Sequence, residues 1–322
     1  MKRLTLRLGT RRSALAVAQS TTVARALEAL HPGLRVELVS LETRGDRTAG
    51  MLAPLGGKGL FTEELEKGLL DGSLDLAVHS LKDLPVALPE ELVVAAYPER
   101  ADPRDVLVSE LAEELEDLPA GSAVLTGALR RQAQVLAARP ELRVEGVRGS
   151  VQTRLRRWRE SAAGGVVLAA AGLARLGLLD PNGDLPAHPL DPERFVPAPG
   201  QGTLAVEVRS GSEAQELVLP LNHGPTAVAA DAERRVVAAF GGNCSLPLAA
   251  WARPVGGRAA ALTLTGLLAT PDGRRIARAE VTAGSPEEAA AACVTAMRDG
   301  GSGEILERIG STLTGRGLRE AE

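Results

Sequence analysis

The segment "EELEKGLLDGSLDLAVHSLKDLP", residues 63–85, contains a helix, a turn and a buried strand in direct succession. Thr62 can cap the helix "EELEKGLL", the dipeptide "DG" turns the chain, and "LDLAVHS" forms the strand. A helix followed by such a strand is typical of a parallel α/β sheet, in which ligands collect outside the carboxyl ends of the strands. Four polar side chains lie at that end of this strand: His79, Ser80, Lys82 and Asp83.

The same alternation covers the first two hundred residues and predicts an α/β fold. The polar segment "YPERADPRD" (97–105) has two prolines and no apolar period, and it predicts a crossing between domains. A second series of strands and helices follows it, and "TLAVEVR" (203–209) adds one further strand. Beyond about residue 220 we expect a smaller α+β unit with a helix, the loop "GGNCSLP", two strands and a C-terminal helix starting near Pro286.

Composition indicates a globular protein of two or three domains. The chain has 322 residues, 44% of them apolar and 24% charged, and its formal net charge of -4 argues against a generic nucleic-acid binder. No apolar stretch approaches the ~18 residues that span a bilayer. The N-terminal segment lacks the long apolar region of a signal peptide. We therefore expect a cytoplasmic protein that does not span a membrane.

Arginines are concentrated in loops and helix starts that follow the predicted strands. Because a guanidinium holds a carboxylate or phosphate by paired hydrogen bonds, such a set indicates a ligand with several anionic groups. For each arginine taken singly, a solvated position on a helix face is the alternative. The set comprises Arg11, Arg12, Arg44, Arg130, Arg131, Arg148 and Arg154.

Asp83 is an acid among these cations, and two interpretations stay open. It can be a salt-bridge partner that holds its loop, or it can face a positive centre that develops during a reaction. His79 can be a hydrogen-bonded residue at the end of the sheet. Lys58 and Lys82, two of only four lysines, suit contacts with anions.

The two cysteines lie in different surroundings, and no Cys/His cluster has the spacing of a metal site. Cys244 follows two glycines in "FGGNCSLP", so it can be an exposed nucleophile or an inert small apolar residue. Cys293, in the alanine-rich "EEAAAACVTAM", is typical of a packed helix core. Gly200 and Gly202 precede a strand without a phosphate-loop pattern, which favours a crossover turn.

Taken in order, these motifs resemble those of the porphobilinogen deaminase (hydroxymethylbilane synthase) family. Single stretches are unspecific, but the ordered set is highly specific. It runs from about residue 4 to the end and includes "GTRRSALA", "TRGD", "GGKGLFTEELE", "DLAVHSLKDLP", "ERADPRDVLVS", "LRRQAQ", "RGSVQTRL", "LAAAGLARLGL", "PAPGQGTLAVEVR" and "GGNCSLPLAAWA".

The resemblance implies two lobes like those of periplasmic binding proteins, with mainly parallel sheets, and a smaller α+β C-terminal domain. We place the first domain at residues 1–99 and 198–219 and the second at 100–197. The third domain, at 220–322, carries the cysteine that bears the cofactor.

The resemblance further implies a monomeric transferase. It condenses four porphobilinogen molecules, with loss of ammonia, on a dipyrromethane cofactor joined by a thioether to the cysteine matching Cys244. Water then releases hydroxymethylbilane. Asp83 matches the catalytic acid. Residues that match cofactor contacts are Ser13, Lys82, Asp83, Thr126, Arg130 and Arg131. Residues that match substrate contacts are Arg11, Lys58, Phe61, His79, Ser80, Arg148 and Arg154. No metal, nucleic acid or membrane is implied as a partner.

The chain departs from the family pattern at several positions, two of them just before Arg130 and Arg131. Gly127 and Ala128 stand where the family commonly has two serines, and Pro54 stands where many members have lysine. Hydroxyl contacts with the cofactor cannot be made by the side chains at 127 and 128, although backbone N–H groups can serve instead.

Two other functions are compatible with parts of the sequence. A non-catalytic two-lobed anion-binding protein would use the same fold, but it leaves Asp83 and Cys244 without roles. A nucleic-acid binder would use "RLRRWR" (154–159), a run that is usually a basic helix face. Its binding would fall steeply with salt.

Overall fold

The computed structural model describes residues 5–43, 62–180, 183–241, 246–255 and 261–317. Within these ranges the strands form three sheets, two with five strands and one with three. The strands are β1 Thr5–Arg11, β2 Arg35–Leu41, β3 Leu76–Ser80, β4 Leu92–Ala96, β5 Asp105–Val108, β6 Ala123–Leu125, β7 Arg143–Glu145, β8 Gly165–Ala169, β9 Ala187–Pro189, β10 Leu204–Arg209, β11 Leu248–Pro254, β12 Leu262–Ala269 and β13 Ile276–Ala283. The α-helices are α1 Ala14–Leu30, α2 Glu63–Leu70, α3 Leu129–Ala138, α4 Val151–Arg159, α5 Ala170–Arg175, α6 Glu213–Val218, α7 Gly224–Ala239, α8 Pro286–Asp299 and α9 Ser302–Gly317.

The first sheet has the strand order β2-β1-β3-β10-β4. β1 pairs in parallel with β2 and β3, whereas β10 runs antiparallel to both β3 and β4, so four of the five strands share one direction. Val23 and Leu27 of α1 pack on one face of this sheet. Leu65 and Leu69 of α2 pack on the other. Successive side chains of a strand point to opposite faces, so the apolar residues of β3 serve both layers.

The second sheet repeats this pattern in the order β7-β6-β8-β5-β9. β6 is parallel to β7 and β8, and β5 is antiparallel to β8 and β9. β5 thus takes the place that β10 has in the first sheet, and each of these two strands follows a crossing from the other sheet. The polar segment 97–105 is the first of these crossings. The α/β prediction is confirmed, and both five-stranded sheets are mixed, each with two parallel and two antiparallel strand pairs.

The third sheet is the antiparallel meander β11-β12-β13. α7, α8 and α9 pack against it around Val236, Leu264, Cys293 and Met297. Two strands were predicted for this unit, and the structure has three. The sequence of β11 is alanine-rich and lacks the β-branched residues by which strands are recognised.

Two helices of the first lobe differ in how their first turn is capped. Ser13 caps α1 and accepts a hydrogen bond from the backbone N–H of Ala16 at 3.2 Å. Thr62 occupies the N-cap of α2, but its backbone is not extended and its hydroxyl makes no capping bond. The predicted capping by Thr62 is therefore wrong.

Both crossings are attached to the third sheet through one buried acid, Glu233 of α7. Arg100, in the first crossing, donates to Glu233 at 2.7 Å, and the backbone N–H of Gly200, in the second, donates to the same carboxylate. Glu233 also accepts from the N–H of Ala252 in β11 at 2.8 Å. The domain boundaries 1–99 with 198–219, 100–197 and 220–322 stay a prediction. In the part of the chain that the structure describes, no helix combines the length and apolar character needed to cross a membrane.

Candidate functional site

Asp83 ends a short 3-10 turn, Leu81–Asp83, that directly follows β3. Leu81 and Leu84 are buried on either side, and the N–H of Leu81 donates to the carbonyl of Thr203 at 3.0 Å. The Asp83 side chain is exposed, and its carboxylate makes no hydrogen bond or ion pair with any described residue. The turn is therefore anchored through its apolar residues, while the acid stays available to a ligand.

Lys82 lies beside Asp83 and reaches toward the second crossing. Its Nζ donates to Oε1 of Gln201 at 3.4 Å. Burial lowers the pKa of Lys82 to about 8, because desolvation outweighs the attraction of Asp83. The charges of Arg130 and Arg131 lower this pKa further, so the ammonium of Lys82 lies within the field of the second lobe's arginines.

The arginine pair at the start of α3 is bound to a buried acid, Asp105. Arg130 Nη1 donates to Asp105 Oδ2 at 2.7 Å and to the carbonyl of Val196 at 2.7 Å. Arg131 donates to Asp105 Oδ1 from Nε at 3.0 Å and from Nη2 at 2.7 Å, and to the carbonyl of Val167 at 2.9 Å. Burial raises the pKa of Asp105, but the charges of the two arginines outweigh it and hold that pKa far below its usual range.

The two guanidinium groups retain donors beyond these bonds. Each carries five N–H groups, and the contacts above use two in Arg130 and three in Arg131. Three N–H groups of Arg130 and two of Arg131 thus remain without a partner among the described residues. The pair can still hold an anionic ligand while Asp105 fixes its position.

Arg148 lies in the turn that leads into α4, and Arg154 lies within α4. Arg154 Nε donates to the carbonyl of Gly149 at 2.9 Å, and Arg148 is exposed. Burial lowers the pKa of Arg154, as do the charges of Arg131 and Arg148, while Asp83 raises it. Asp83, Arg131 and Arg148 thus lie near enough to Arg154 for their charges to affect its pKa.

Several predicted contacts already have partners within the protein. The Ser80 hydroxyl accepts from Gln19 Nε2 at 2.9 Å, and the Thr126 hydroxyl accepts from the N–H of Ala128 at 3.2 Å. Ser13 caps α1, and Arg11 is half-buried at the end of β1.

His79 points into the first lobe. Its Nε2 lies 2.9 Å from Oε2 of Glu207, and both side chains are buried. This geometry favours the alternative that His79 is a hydrogen-bonded residue of the sheet, and direct contact with substrate stays a prediction.

Other predicted site residues lie outside the described ranges. They are Arg44, Lys58, Phe61 and Cys244, and Pro54, a departure from the family pattern, also lies there. Cys293 is described: it is fully buried, and burial raises the pKa of its thiol to about 11. A thiol with this pKa is a poor nucleophile at neutral pH, which agrees with the prediction of a packed core position.

The sequence reasoning missed three residues around this cluster: Asp105, Arg175 and Gln201. Gln201 Nε2 donates to Asp105 at 2.9 Å while its Oε1 accepts from Lys82, so it joins the two lobes. Arg175 donates to the carbonyl of Gly202 at 2.6 Å, and burial lowers its pKa to about 10. A signal was available for all three, since each of them lies in one of the family stretches.

The glycines of the second crossing are needed where the two crossings touch. Gly202 has a φ of +88°, and a Cβ there would lie 2.4 Å from the carbonyl oxygen of Ala101. The predicted crossover turn at Gly200 and Gly202 is therefore a close backbone approach. Among the described residues no group of three His, Cys, Asp or Glu side chains could hold a metal ion.

Comparison with known proteins gives two family matches. Residues 6–216 match the family model "Porphobilinogen deaminase, dipyromethane cofactor binding domain", and residues 227–299 match "Porphobilinogen deaminase, C-terminal domain".

Relatives and a solved structure are similar at very different levels. The porphobilinogen deaminase of Syntrophobacter fumaroxidans is 43% identical over 309 residues, which cover 94% of this chain and 97% of the relative. That of Bacillus subtilis is 39% identical over 307 residues, 95% of this chain and 96% of the relative. Among solved structures, a methionine binding protein, MetQ, aligns over 67% of this chain and 89% of its own with 14% identity and a TM-score of 0.41.

Proposed function

The chain belongs to the porphobilinogen deaminase family, and we infer that the cluster around Asp83 is where it performs the family's reaction. It is a transferase, hydroxymethylbilane synthase, of tetrapyrrole biosynthesis. It condenses four porphobilinogen molecules, with loss of ammonia, on a covalently bound dipyrromethane and releases hydroxymethylbilane. We propose that it acts as a monomer in the cytoplasm and needs neither metal nor nucleic acid.

One observation carries the assignment of the site. An exposed acid without an ionic partner among the described residues, Asp83, lies within the electrostatic field of Lys82 and Arg154. A growing pyrrole chain carries two carboxylates per unit, so its binding requires several cations. The reaction also creates a cation, which requires one acid. The cluster supplies both kinds of group.

The residues suit the dipyrromethane on chemical grounds. The remaining N–H groups of Arg130 and Arg131 can donate to its carboxylates, and an anion beside Lys82 would favour the charged form that burial disfavours. We propose that these three residues, with Ser13, Asp83 and Thr126, hold the cofactor and that Cys244 carries it through a thioether. When bound, the dipyrromethane supplies the terminal pyrrole carbon to which new units are joined.

For the substrate carboxylates we propose Arg11, Arg148 and Arg154, each at the end of a strand or the start of a helix. Lys58 and Phe61 complete the predicted set from outside the described ranges. Ser80 and His79 make internal hydrogen bonds, so we propose that they act by holding the end of β3 rather than by a direct charge contact.

Asp83 has a defined task in this chemistry. The aminomethyl group leaves from its protonated form: the C–N bond breaks, ammonia departs with the electron pair, and a methylene-pyrrole cation remains. A fixed carboxylate beside this carbon lowers the free energy of the cation, because the protein has oriented the charge before it forms.

The test is the intact mass of the purified chain after denaturation. We expect the protein to be heavier than its sequence by two pyrrole units. Peptide mapping should place them on Cys244, and Cys293→Ser, which changes the buried cysteine of α8, should carry the same added mass. An active protein of unmodified mass, or attachment to Cys293, would overturn the covalent-cofactor assignment.

A further inference from the structure

Gly127 lies where the turn after β6 meets the turn after β7. A Cβ built on Gly127 would lie 2.5 Å from the carbonyl oxygen of Val147, which is far inside van der Waals contact. The two turns continue the ladder of their strands, since the N–H of Thr126 donates to the carbonyl of Glu145 at 2.9 Å. The backbone of one turn thus rests directly on the backbone of the other, with no room for a side chain at 127.

The two turns are held in different ways. The turn after β6 leads into α3, whose Arg130 and Arg131 are buried and bonded to Asp105. In the turn after β7 the Val147 side chain is buried in the core, and the chain becomes exposed at Arg148. The clashing oxygen belongs to the peptide that joins Val147 to Arg148, so a side chain at 127 would displace this peptide and, with it, Arg148.

The movement would be transmitted to the predicted substrate contacts. Arg148 directly follows Val147, and Gly149, next in the chain, accepts the hydrogen bond from Arg154 Nε at 2.9 Å. The position of both arginines relative to Arg131 is therefore set by how closely the two turns approach.

We propose that Gly127 is a positioning residue for substrate binding: its missing side chain sets the distance between the arginines of α3 and Arg148. This rests on the proposed function, in which Arg148 binds a substrate carboxylate. A serine at 127, which the family pattern commonly has, does not fit this backbone arrangement. The chain uses backbone contact where a hydroxyl would otherwise stand.

The experiment compares Gly127→Ala with Gly146→Ala in the full holoenzyme. Gly146 lies in the same turn after β7, yet a Cβ there meets nothing within 4 Å. We expect Gly127→Ala to raise KM for porphobilinogen about tenfold, the effect of misaligning a charged hydrogen bond, with kcat changed far less. Gly146→Ala should keep the wild-type KM.

A double-mutant cycle with Arg148→Leu separates positioning from general damage. If Gly127 acts through Arg148, Gly127→Ala should raise KM by a smaller factor in the Arg148→Leu background than in the wild type, where Arg148 and Arg154 are both displaced. Equal increases in both backgrounds, an unchanged KM of Gly127→Ala, or an unfolded Gly127→Ala would each overturn the proposal, since the peptide before the exposed Arg148 should absorb the clash.

The failure of this inference differs from that of the proposed function. If Arg148→Leu itself has the wild-type KM, the substrate role of Arg148 is wrong. If Arg148→Leu is impaired and Gly127→Ala is not, only the role of Gly127 is wrong.

Discussion

Asp105→Asn tests whether the stability of the protein depends on the buried acid that pairs with Arg130 and Arg131. Asp105 is fully buried and accepts from Arg130, Arg131 and Gln201, at 2.7 to 3.0 Å. Asparagine keeps the shape and one acceptor oxygen. It removes the negative charge and turns an NH₂ group toward one of the donors. Two buried guanidinium groups would then lack their counter-charge.

The expected loss of stability follows from this geometry. Removing one partner of a buried ion pair costs about 3–5 kcal/mol, because the remaining charge stays in a poorly solvating place. For a chain of this size each kcal/mol lowers the midpoint of thermal unfolding by roughly 2–4 °C. We therefore expect Asp105→Asn to unfold about 6–20 °C below the wild type, measured by circular dichroism on cofactor-free protein at neutral pH.

The pH dependence gives a second readout. The pKa of Asp105 lies below its usual value, so its stabilisation is fully present above about pH 4 and is lost as the pH falls further. The wild type should lose this contribution on acidification, and the variant should not.

Asp75→Asn is the matched control. Asp75 pairs with Arg7 at 2.8 Å, but the side chains are 25% and 43% exposed, so the same substitution should cost no more than about 1 kcal/mol. Equal unfolding midpoints for the two variants would refute the reasoning that burial makes Asp105 essential.

Three further predictions concern the site. Asp83→Asn should turn over about a hundred- to a thousand-fold more slowly, the typical effect of losing preorganised electrostatic stabilisation, with an unchanged unfolding midpoint; a marked fall in that midpoint would favour the salt-bridge alternative. Because burial lowers the pKa of Lys82 to about 8, dipyrromethane assembly by cofactor-free protein should slow as the pH rises through 8. Lys82→Arg should not show this decline. Identical pH profiles for the two proteins would exclude Lys82 from cofactor binding. Arg154→Leu should lose ~2–5 kcal/mol of substrate-binding free energy and should stall with partly extended pyrrole chains that mass spectrometry detects. Arg156→Leu, which changes an exposed arginine of the same helix, should not stall. If the two variants elongate the chain equally well, Arg154 is only a surface charge.

The sequence predicted which strand ends bear charged residues but not which side chains reach the site. The carboxyl-end rule places Arg131 and Arg154 at one edge of the second sheet, because the parallel strands β6 and β7 precede their helices. Asp83 follows β3 of the first sheet, so its approach to these arginines depends on how the crossings join the two sheets. Successive residues of a strand point to opposite faces, so His79 and Ser80 diverge at the end of β3. His79 meets Glu207, which is 128 residues away in sequence and could not be identified as its partner.

Asp105 shows a second limit of sequence reasoning. It ends the polar segment 97–105, where an acid is expected to be solvated. In the structure it is the first residue of the buried β5, and its charge is tolerated only because Arg130 and Arg131 bond to it. Burial of a charge depends on partners supplied by other elements, and local sequence does not contain them.

The two acids near the cations, Asp105 and Asp83, differ in whether they are already paired, and this difference decides which of them can stabilise a cation during the reaction. Asp105 is surrounded by donors, so its charge is already neutralised by Arg130 and Arg131. Asp83 is exposed and has no such partner in the described ranges, so its charge can respond to a cation that forms beside it. With Lys82 and Arg154 the cluster holds four cations against these two acids, and the excess is positive. A ligand bearing several carboxylates balances that excess, and it does so without consuming the charge of Asp83.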